Sequence, residues 1–339
     1  MSDMLKRKAE HLDVVLNQDV RTASSAGFES VRFMHNALPE LDLDAIDLGA
    51  EFLGRRLAAP FLISSMTGGP VKAALINENL ARAAGALGIA FAVGSQRVAV
   101  EGGGQAGFSR TLRAHMGDMP LLSNFGAAQL AKDGGVDMAR RVVEMIGADA
   151  LIIHLNPVQE AVQNGGDRNW SGLLARLEAL VKLSDVPIVV KEVGFGISGD
   201  LSAKFWQAGI RTIDVAGAGG TSWAAVEAGR APNERLRAIA ETFRDWGIPT
   251  ARALADVRAA CPDATVIASG GIRSGLDAAK AIRLGADLAG QAAGVLRAAL
   301  DSPEAVIAHF EDRIEELRIA CFCTGSANLK ALRQAPLQD

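Results

Sequence analysis

The chain has 339 residues, 49% hydrophobic and 22% charged, with a net charge of −4. That composition suits a well-cored globule and leaves no basic field for nucleic acid. No apolar run approaches the roughly 18 residues needed to span a bilayer, and Cys261, Cys321 and Cys323 offer neither a disulfide framework nor a zinc spacing.

The N-terminus carries Lys6-Arg7-Lys8, then Ala9-Glu10-His11 rather than an apolar stretch, so no secretory signal is expected and the protein reads as cytoplasmic with reduced thiols. Taken alone, such a basic run is a solvated face. Residues 31–56, with Leu41, Leu43, Ile46 and Leu48, are expected to cover the bottom of the domain that follows. From residue 58 onward short apolar strands alternate with helix-length segments. The strands are expected at 59–64, 89–93, 121–123, 150–154, 188–191, 212–215, 266–269 and 288–291. Eight such units predict an α/β chain folded as a (β/α)8 TIM barrel, with a doubly wound open sheet as the alternative. The longest gap lies between strands six and seven, where residues 233–246 read as an inserted helix that forms part of a lid or an oligomer contact. The expected organisation is one domain: an extension (1–57), the barrel (58–300) and a C-terminal helical region (301–339).

Barrel chemistry sits where strands end at the C-terminal face, and each of the eight ends is polar or glycine-rich. In order they are Ser65-Met66-Thr67-Gly68-Gly69, Gly94-Ser95-Gln96-Arg97, Asn124-Phe125-Gly126, the His154–Glu160 stretch, Lys191-Glu192-Val193-Gly194, Gly217–Thr221, Gly270-Gly271-Ile272-Arg273 and Gln291-Ala292-Ala293-Gly294. The fourth is the most informative. A buried strand that suddenly presents His154, Asn156, Gln159 and Glu160 needs a reason, because each unpaired polar group inside a fold costs roughly 1–3 kcal/mol. A plain helix start, with Asn156 as N-cap and Pro157 at the first helical position, accounts for two of them and gives His154 and Gln159 no task. The last two ends read as a phosphate cradle: Gly270 and Gly271 let backbone N–H groups approach an anion, and Arg273 adds a charge. Lys191 ends an apolar strand, where a buried ammonium needs an anion or an electron-rich ring.

These motifs resemble the type 2 isopentenyl diphosphate isomerases, a family of FMN-dependent barrels. The match runs in order through Arg7-Lys8-x-x-His11, Met66-Thr67-Gly68-Gly69, Gly94-Ser95-Gln96-Arg97, Asn124-x-Gly126, His154-Leu155-Asn156-x-x-Gln159-Glu160, Lys191-Glu192-Val193-Gly194, Gly219-Gly220-Thr221 and Ser269-Gly270-Gly271-Ile272-Arg273. It covers nearly the whole chain. The Gly-Gly-Ile-Arg segment is shared with other FMN barrels; the His-Leu-Asn-x-x-Gln-Glu cluster and the Arg-Lys-x-x-His start are specific. One departure is Ala216, where some members carry a serine that touches FMN.

The resemblance implies conversion of isopentenyl to dimethylallyl diphosphate in isoprenoid biosynthesis, with reduced FMN, Mg²⁺, NADPH as reductant and no net redox change. It assigns His154 and Gln159 to the catalytic region, with His154 remaining open as a hydrogen-bonded strand-end histidine. Arg7, Lys8, Ser95, Gln96, Arg97 and Gln159 would hold substrate, and Glu160 would hold Mg²⁺. Ser65, Met66, Thr67, Ser95, Asn124, Lys191, Thr221, Gly271, Ile272, Arg273, Ala292 and Ala293 would hold FMN. Arg7 and Lys8 become an arm closing over the diphosphate, and a homo-oligomer, tetramer or octamer, is implied. Two other readings stay in view. An FMN-dependent 2-hydroxy-acid oxidase would need a histidine after the sixth strand, and residues 216–223 contain none. A non-catalytic flavin-binding barrel would be expected to lack the Gln159-Glu160 pair.

Overall fold

The computed structural model describes residues 3–66, 71–101 and 107–338. A short antiparallel hairpin, β1 (Ala50–Phe52) and β2 (Arg55–Leu57), precedes the barrel. The barrel strands are β3 (Phe61–Ile63), β4 (Ala90–Ala92), β5 (Leu121–Gly126), β6 (Ala150–Leu155), β7 (Ile188–Glu192), β8 (Thr212–Asp214), β9 (Thr265–Ala268) and β10 (Leu288–Gln291). Each pairs in parallel with the next, and β10 closes on β3, so the sheet is a barrel and not an open doubly wound sheet. All eight expected strands form, within a few residues of the expected ends.

Two concentric cores follow from the pleat. Outward-facing residues such as Ile63, Phe91, Phe125, Ile153 and Val190 join the large cluster under the helices. Inward-facing Leu62, Ala90, Leu122, Ile152, Val189, Ile267 and Leu288 form a smaller cluster in the barrel. Side chains alternate with a period of two along a strand, so two residues further on the same face carries Ser64, Asn124, His154, Lys191, Ser269 and Gly290. The apolar plug therefore ends in a polar floor at the C-terminal mouth.

The cover at the opposite end is narrower than expected. The hairpin reaches the barrel bottom, where Phe52 and Leu57 share a cluster with Leu62, Ala150 and Leu288 and Met119 packs against it. Residues 31–48 run instead along the C-terminal segment. Met34 N–H donates to Pro336 O at 2.9 Å, Asn36 N–H to Cys323 O at 2.8 Å, and Arg318 to Ile46 O at 2.8 Å.

The insertion forms, with neighbours the sequence did not single out. After β8 come helices Trp223–Gly229, Glu234–Thr242 and Thr250–Ala260. Asn233 caps the second of these by accepting from Leu236 N–H at 3.0 Å, and residues 243–245 continue as turns. Its end holds the N-terminal segment: Asp245 accepts from the Thr22 hydroxyl at 2.7 Å and Ala23 N–H at 2.6 Å, while Arg244 donates to Asp19 O and Arg21 O, each at 3.2 Å. The segment Lys6-Arg7-Lys8, read alone as a solvated face, lies in helix Asp3–Asn17, which packs against Trp223–Gly229, with Val14, Val226 and the following Val20 in one apolar cluster.

Candidate active site at the barrel mouth

A cavity of about 850 Å³ opens at the C-terminal ends of the barrel strands, roofed by the N-terminal helix. Every expected site residue within the described residues lines it except Gln96; Thr67 lies outside them.

One end is glycine-lined. Gly270 and Gly271 have φ of 92° and 75°, a region that L side chains avoid. A Cβ on Gly271 would fall 2.8 Å from the Gly219 backbone and the Ala26 side chain. Gly271, Ile272, Ala292 and Ala293 thus bring bare backbone to the cavity, and Arg273 spans the gap by donating to Gly219 O at 3.0 Å. Ser274 and Asp277 close a capping box on the next helix, Gly275–Arg283. Such a concavity suits one phosphate.

The other end is charged. Arg7, Lys8 and Arg97 meet there around Glu160. Burial and the neighbouring Arg7 and Arg97 pull Lys8 down to about 8, against the opposing pull of Glu160. Burial and Arg97 likewise lower Arg7, whose Nε has no hydrogen-bond partner among the described residues. Three cations that repel one another in a cavity are a site waiting for a polyanion. The affinity of inorganic diphosphate should accordingly fall as pH rises through about 8, since deprotonated Lys8 no longer attracts it. Calorimetric titration of the protein and of Lys8→Met between pH 7 and 9 measures this. Parallel pH profiles for the two proteins would remove Lys8 from the anion site.

Between these ends lies the polar floor. His154 Nδ1 sits 2.7 Å from Asn124 Oδ1. A carboxamide oxygen only accepts, so Nδ1 carries the proton and Nε2 presents a lone pair. Burial, then Lys8, Lys191 and Arg97, push the ring down to about 3, so His154 is a neutral acceptor at any physiological pH. Lys191, 7% exposed, donates to Glu192 O at 2.8 Å and lies 3.7 Å from Asp214 Oδ2. Glu192 in turn accepts from Val193, Gly194 and Phe195 N–H at 2.6, 2.8 and 2.5 Å, folding the turn that leaves the lysine in place.

Asn156 occupies the N-cap position of helix Pro157–Val162, with Pro157 at the first turn, but its side chain does not cap. Its Nδ2 donates to Gln159 Oε1 at 3.0 Å and Glu160 Oε1 at 3.1 Å, leaving a buried Oδ1 without a partner among the described residues. Glu160 Oε2 also accepts from Asp167 N–H at 2.7 Å and Gln163 Nε2 at 3.3 Å. Among the described residues no three His, Cys, Asp or Glu side chains group into a metal cage. A magnesium ion fits this donor set only as one that keeps waters and takes diphosphate oxygens alongside a single carboxylate.

Gln96 departs from expectation. It is fully buried, with Oε1 accepting from Asn124 N–H at 3.0 Å and Nε2 donating to Val142 O at 2.9 Å. Its carboxamide stitches β4 to β5 and to a neighbouring helix, facing away from the cavity. Arg97 next to it does face in, held by Glu101 at 3.0 Å and Asp167 at 3.3 Å.

Sequence reasoning missed three side chains. Glu227, 3% exposed on helix Trp223–Gly229, binds Gln159 Nε2 at 2.9 Å, His11 Nε2 at 2.8 Å and Arg230 at 2.8 Å. A lone carboxylate in the Ala-Ala-Val-Glu-Ala run was the available signal. His11 was visible in its motif but had no assigned role. Asp214, fully buried, accepts from the Ser269 hydroxyl at 2.6 Å and is pushed up by burial while Lys191 pulls it down.

A closed parallel barrel with a one-phosphate cradle at its last two strands and a lysine on its floor defines a flavin mononucleotide barrel. Residues 13–102 and 158–339 match the FMN-dependent dehydrogenase family. The chain is 62% identical to an isopentenyl-diphosphate delta-isomerase of Stutzerimonas stutzeri, over 98% of this chain and 97% of that protein. It is 59% identical to one from Xanthobacter autotrophicus over the same shares, and 51% to one from Synechocystis over 98% and 95%. The chain belongs to the FMN-dependent dehydrogenase family and, within it, to the type 2 isopentenyl-diphosphate delta-isomerases. Among solved structures, a mandelate oxidase carrying an FMN adduct superposes with a TM-score of 0.69 at 19% identity, covering 99% of both chains. A putative lactate oxidase of Pediococcus acidilactici gives 0.66 at 17%, covering 99% of this chain and 87% of that one. These likenesses extend to the barrel itself. Among the described residues no helix is long and apolar enough to cross a membrane.

Proposed function

We propose that the protein converts isopentenyl diphosphate to dimethylallyl diphosphate, using reduced FMN and Mg²⁺ with NADPH as the source of reduction. In this reading it works in the cytoplasm as a homo-oligomer. The observation that carries the reading is the pair of anion sites at opposite ends of one cavity. The glycine cradle suits the single phosphate of FMN, and the Arg7, Lys8 and Arg97 cluster beside Glu160 suits a diphosphate with its metal.

Bound and reduced, FMN supplies the groups that deliver and remove a proton at the two ends of the shifting double bond. The chain's own residues bind and orient. Arg7, Lys8, Ser95 and Arg97 take the diphosphate charge, while Glu160, flanked by the unpartnered Asn156 Oδ1, takes the cation. Gln159, clamped by Asn156 and Glu227, holds its carboxamide at the cavity wall. Neutral His154 offers its Nε2 lone pair to a donor above the floor, and Lys191 meets the electron-rich edge of the flavin. Ser65, Met66, Asn124, Thr221, Gly271, Ile272, Arg273, Ala292 and Ala293 complete the cofactor's surroundings. The N-terminal helix closes the roof, which excludes water.

The loop after β8 brings no histidine to the cavity; His11, His154 and His309 line it from elsewhere. Substrate and product are isomers at one oxidation level, so the transposition should consume no reductant. Purified protein should be yellow and release FMN. Under strict anaerobiosis it should form many product molecules per NADPH oxidised. A ratio near one would sink the isomerase reading, and turnover with oxidised FMN would sink the requirement for reduced flavin.

A further inference from the structure

Beside the polar floor, on the side of β10 that meets the C-terminal helix, a carboxamide donor is left without an acceptor. Gln291, the last residue of β10, is 3% exposed, and its Nε2 is buried with no hydrogen-bond partner among the described residues. Its Oε1 sits 2.8 Å from Nε2 of His309, on helix Pro303–Cys323. Both residues line the cavity. The carboxamide oxygen only accepts, so the histidine donates from Nε2 and both N–H groups of Gln291 Nε2 are left over.

The arrangement is fixed from three sides. Ser64 N–H donates to Gln291 O at 2.8 Å, which pins the strand end. His309 meets Phe310 edge-on at 5.3 Å between centroids, and Phe310 packs on Phe61 of β3 at 5.8 Å. Burial lowers the pKa of His309, and Arg313 on the same helix lowers it further, so the ring is neutral at pH 7 with a single proton to place. A buried amide held by one end and left unsatisfied at the other is costly unless a ligand completes it. Gln291 immediately precedes Ala292-Ala293-Gly294, half of the phosphate cradle, and the hydroxyls of Ser64 and Ser65 nearby also lack partners.

We propose that Gln291, oriented by His309, donates to an oxygen of the FMN side chain, either a phosphate or a ribityl oxygen, and is a binding residue for the cofactor. His309 is its positioning residue. The inference rests on the reading of the cavity as an FMN site and adds a contact that neither the Gly-Gly-Ile-Arg segment nor the Ala292–Ala293 loop supplies.

The test strips the purified protein of flavin and titrates it with FMN, following quenching of flavin fluorescence. Gln291→Met, similar in size but without a donor, should raise the Kd about tenfold, near 1.4 kcal/mol. Gln291→Glu should raise it further, because a carboxylate faces the ligand's oxygens. His309→Phe should raise it roughly threefold by freeing the carboxamide, and His309→Gln, which keeps a donor, should recover most of that loss. The apoprotein melting temperatures should stay together, which a merely structural role would not allow. Riboflavin in place of FMN separates the two oxygens: affinity unaffected by Gln291→Met assigns the contact to the phosphate, and a parallel loss assigns it to the ribityl chain. Wild-type FMN affinity in both Gln291→Met and Gln291→Glu overturns the proposal while the cofactor site stands. Failure of the wild-type protein to bind FMN overturns both. If the Gln291 variants do not fold, unchanged affinity in His309→Phe is the result that overturns it.

Discussion

Glu160→Gln is expected to lower kcat/KM about a hundredfold while leaving FMN bound, the size of loss seen when a metal's immediate surroundings are altered. Two effects combine. A carboxamide is a poor ligand for a hard cation compared with a carboxylate. The replacement also cannot satisfy its neighbours: Glu160 accepts from Asn156 Nδ2, Gln163 Nε2 and Asp167 N–H, whereas glutamine has one accepting oxygen and turns an NH2 group toward a donor. The FMN cradle is formed by other strands at the far end of the cavity, so flavin content should not change. Titrating Mg²⁺ at fixed substrate, together with the flavin-to-protein ratio, measures both parts. An unchanged Mg²⁺ dependence would take Glu160 out of the metal site.

Glu227→Leu is expected to harm both fold and turnover. The carboxylate is nearly buried and serves Gln159, His11 and Arg230 together. Its pKa lies below the ordinary carboxylate value, because the bonds from His11, Gln159 and Arg230 outweigh the cost of burial. Removing one partner from such a buried charged cluster costs about 3–5 kcal/mol. Denaturant midpoints should fall accordingly. Glu227→Gln keeps the shape and some of the hydrogen bonds, so it should recover most of the stability while activity stays low, since Gln159 and the N-terminal helix lose their charged anchor. Full activity in Glu227→Gln would show that Gln159 needs no charged partner.

The sign of the pH response follows from the same site. Glu227, with its lowered pKa, contributes stability that is present above the unfolded carboxylate value and is lost as pH falls through the folded one. Lys8 acts at the other end of the scale, through ligand affinity that weakens above about pH 8.

Much of this was legible in the sequence because it is local. Alternation of short apolar strands with helix-length segments determined a parallel α/β sheet, since parallel neighbours require a crossover between them, and the pairing of β10 with β3 closed it into a barrel. Each strand end could be read as a candidate site, and the glycines at 270 and 271 announced backbone that had to approach something closely. The Lys6-Arg7-Lys8 run shows where locality stops. Its composition reads as a solvated face, yet the helix that carries it is brought to the cavity by Glu227 on the helix after β8 and by Asp245 at the end of the insertion.

The remainder was decided by the tertiary fold, because it depends on which way a side chain leaves the strand and on partners hundreds of residues away. Gln96 and Arg97 are adjacent and equally polar, but one turns away from the cavity to bind Val142 O and the other faces the cavity. His154 looks like a titratable group in the sequence; burial among Lys8, Lys191 and Arg97 makes it a neutral acceptor instead. Gln291 ends an otherwise apolar strand, and only the approach of His309 from the C-terminal helix fixes which end of its amide is left for a ligand. The sequence by itself determined the strands and the polar character of their ends. Register, burial and long-range pairing determined what each of those polar groups has become.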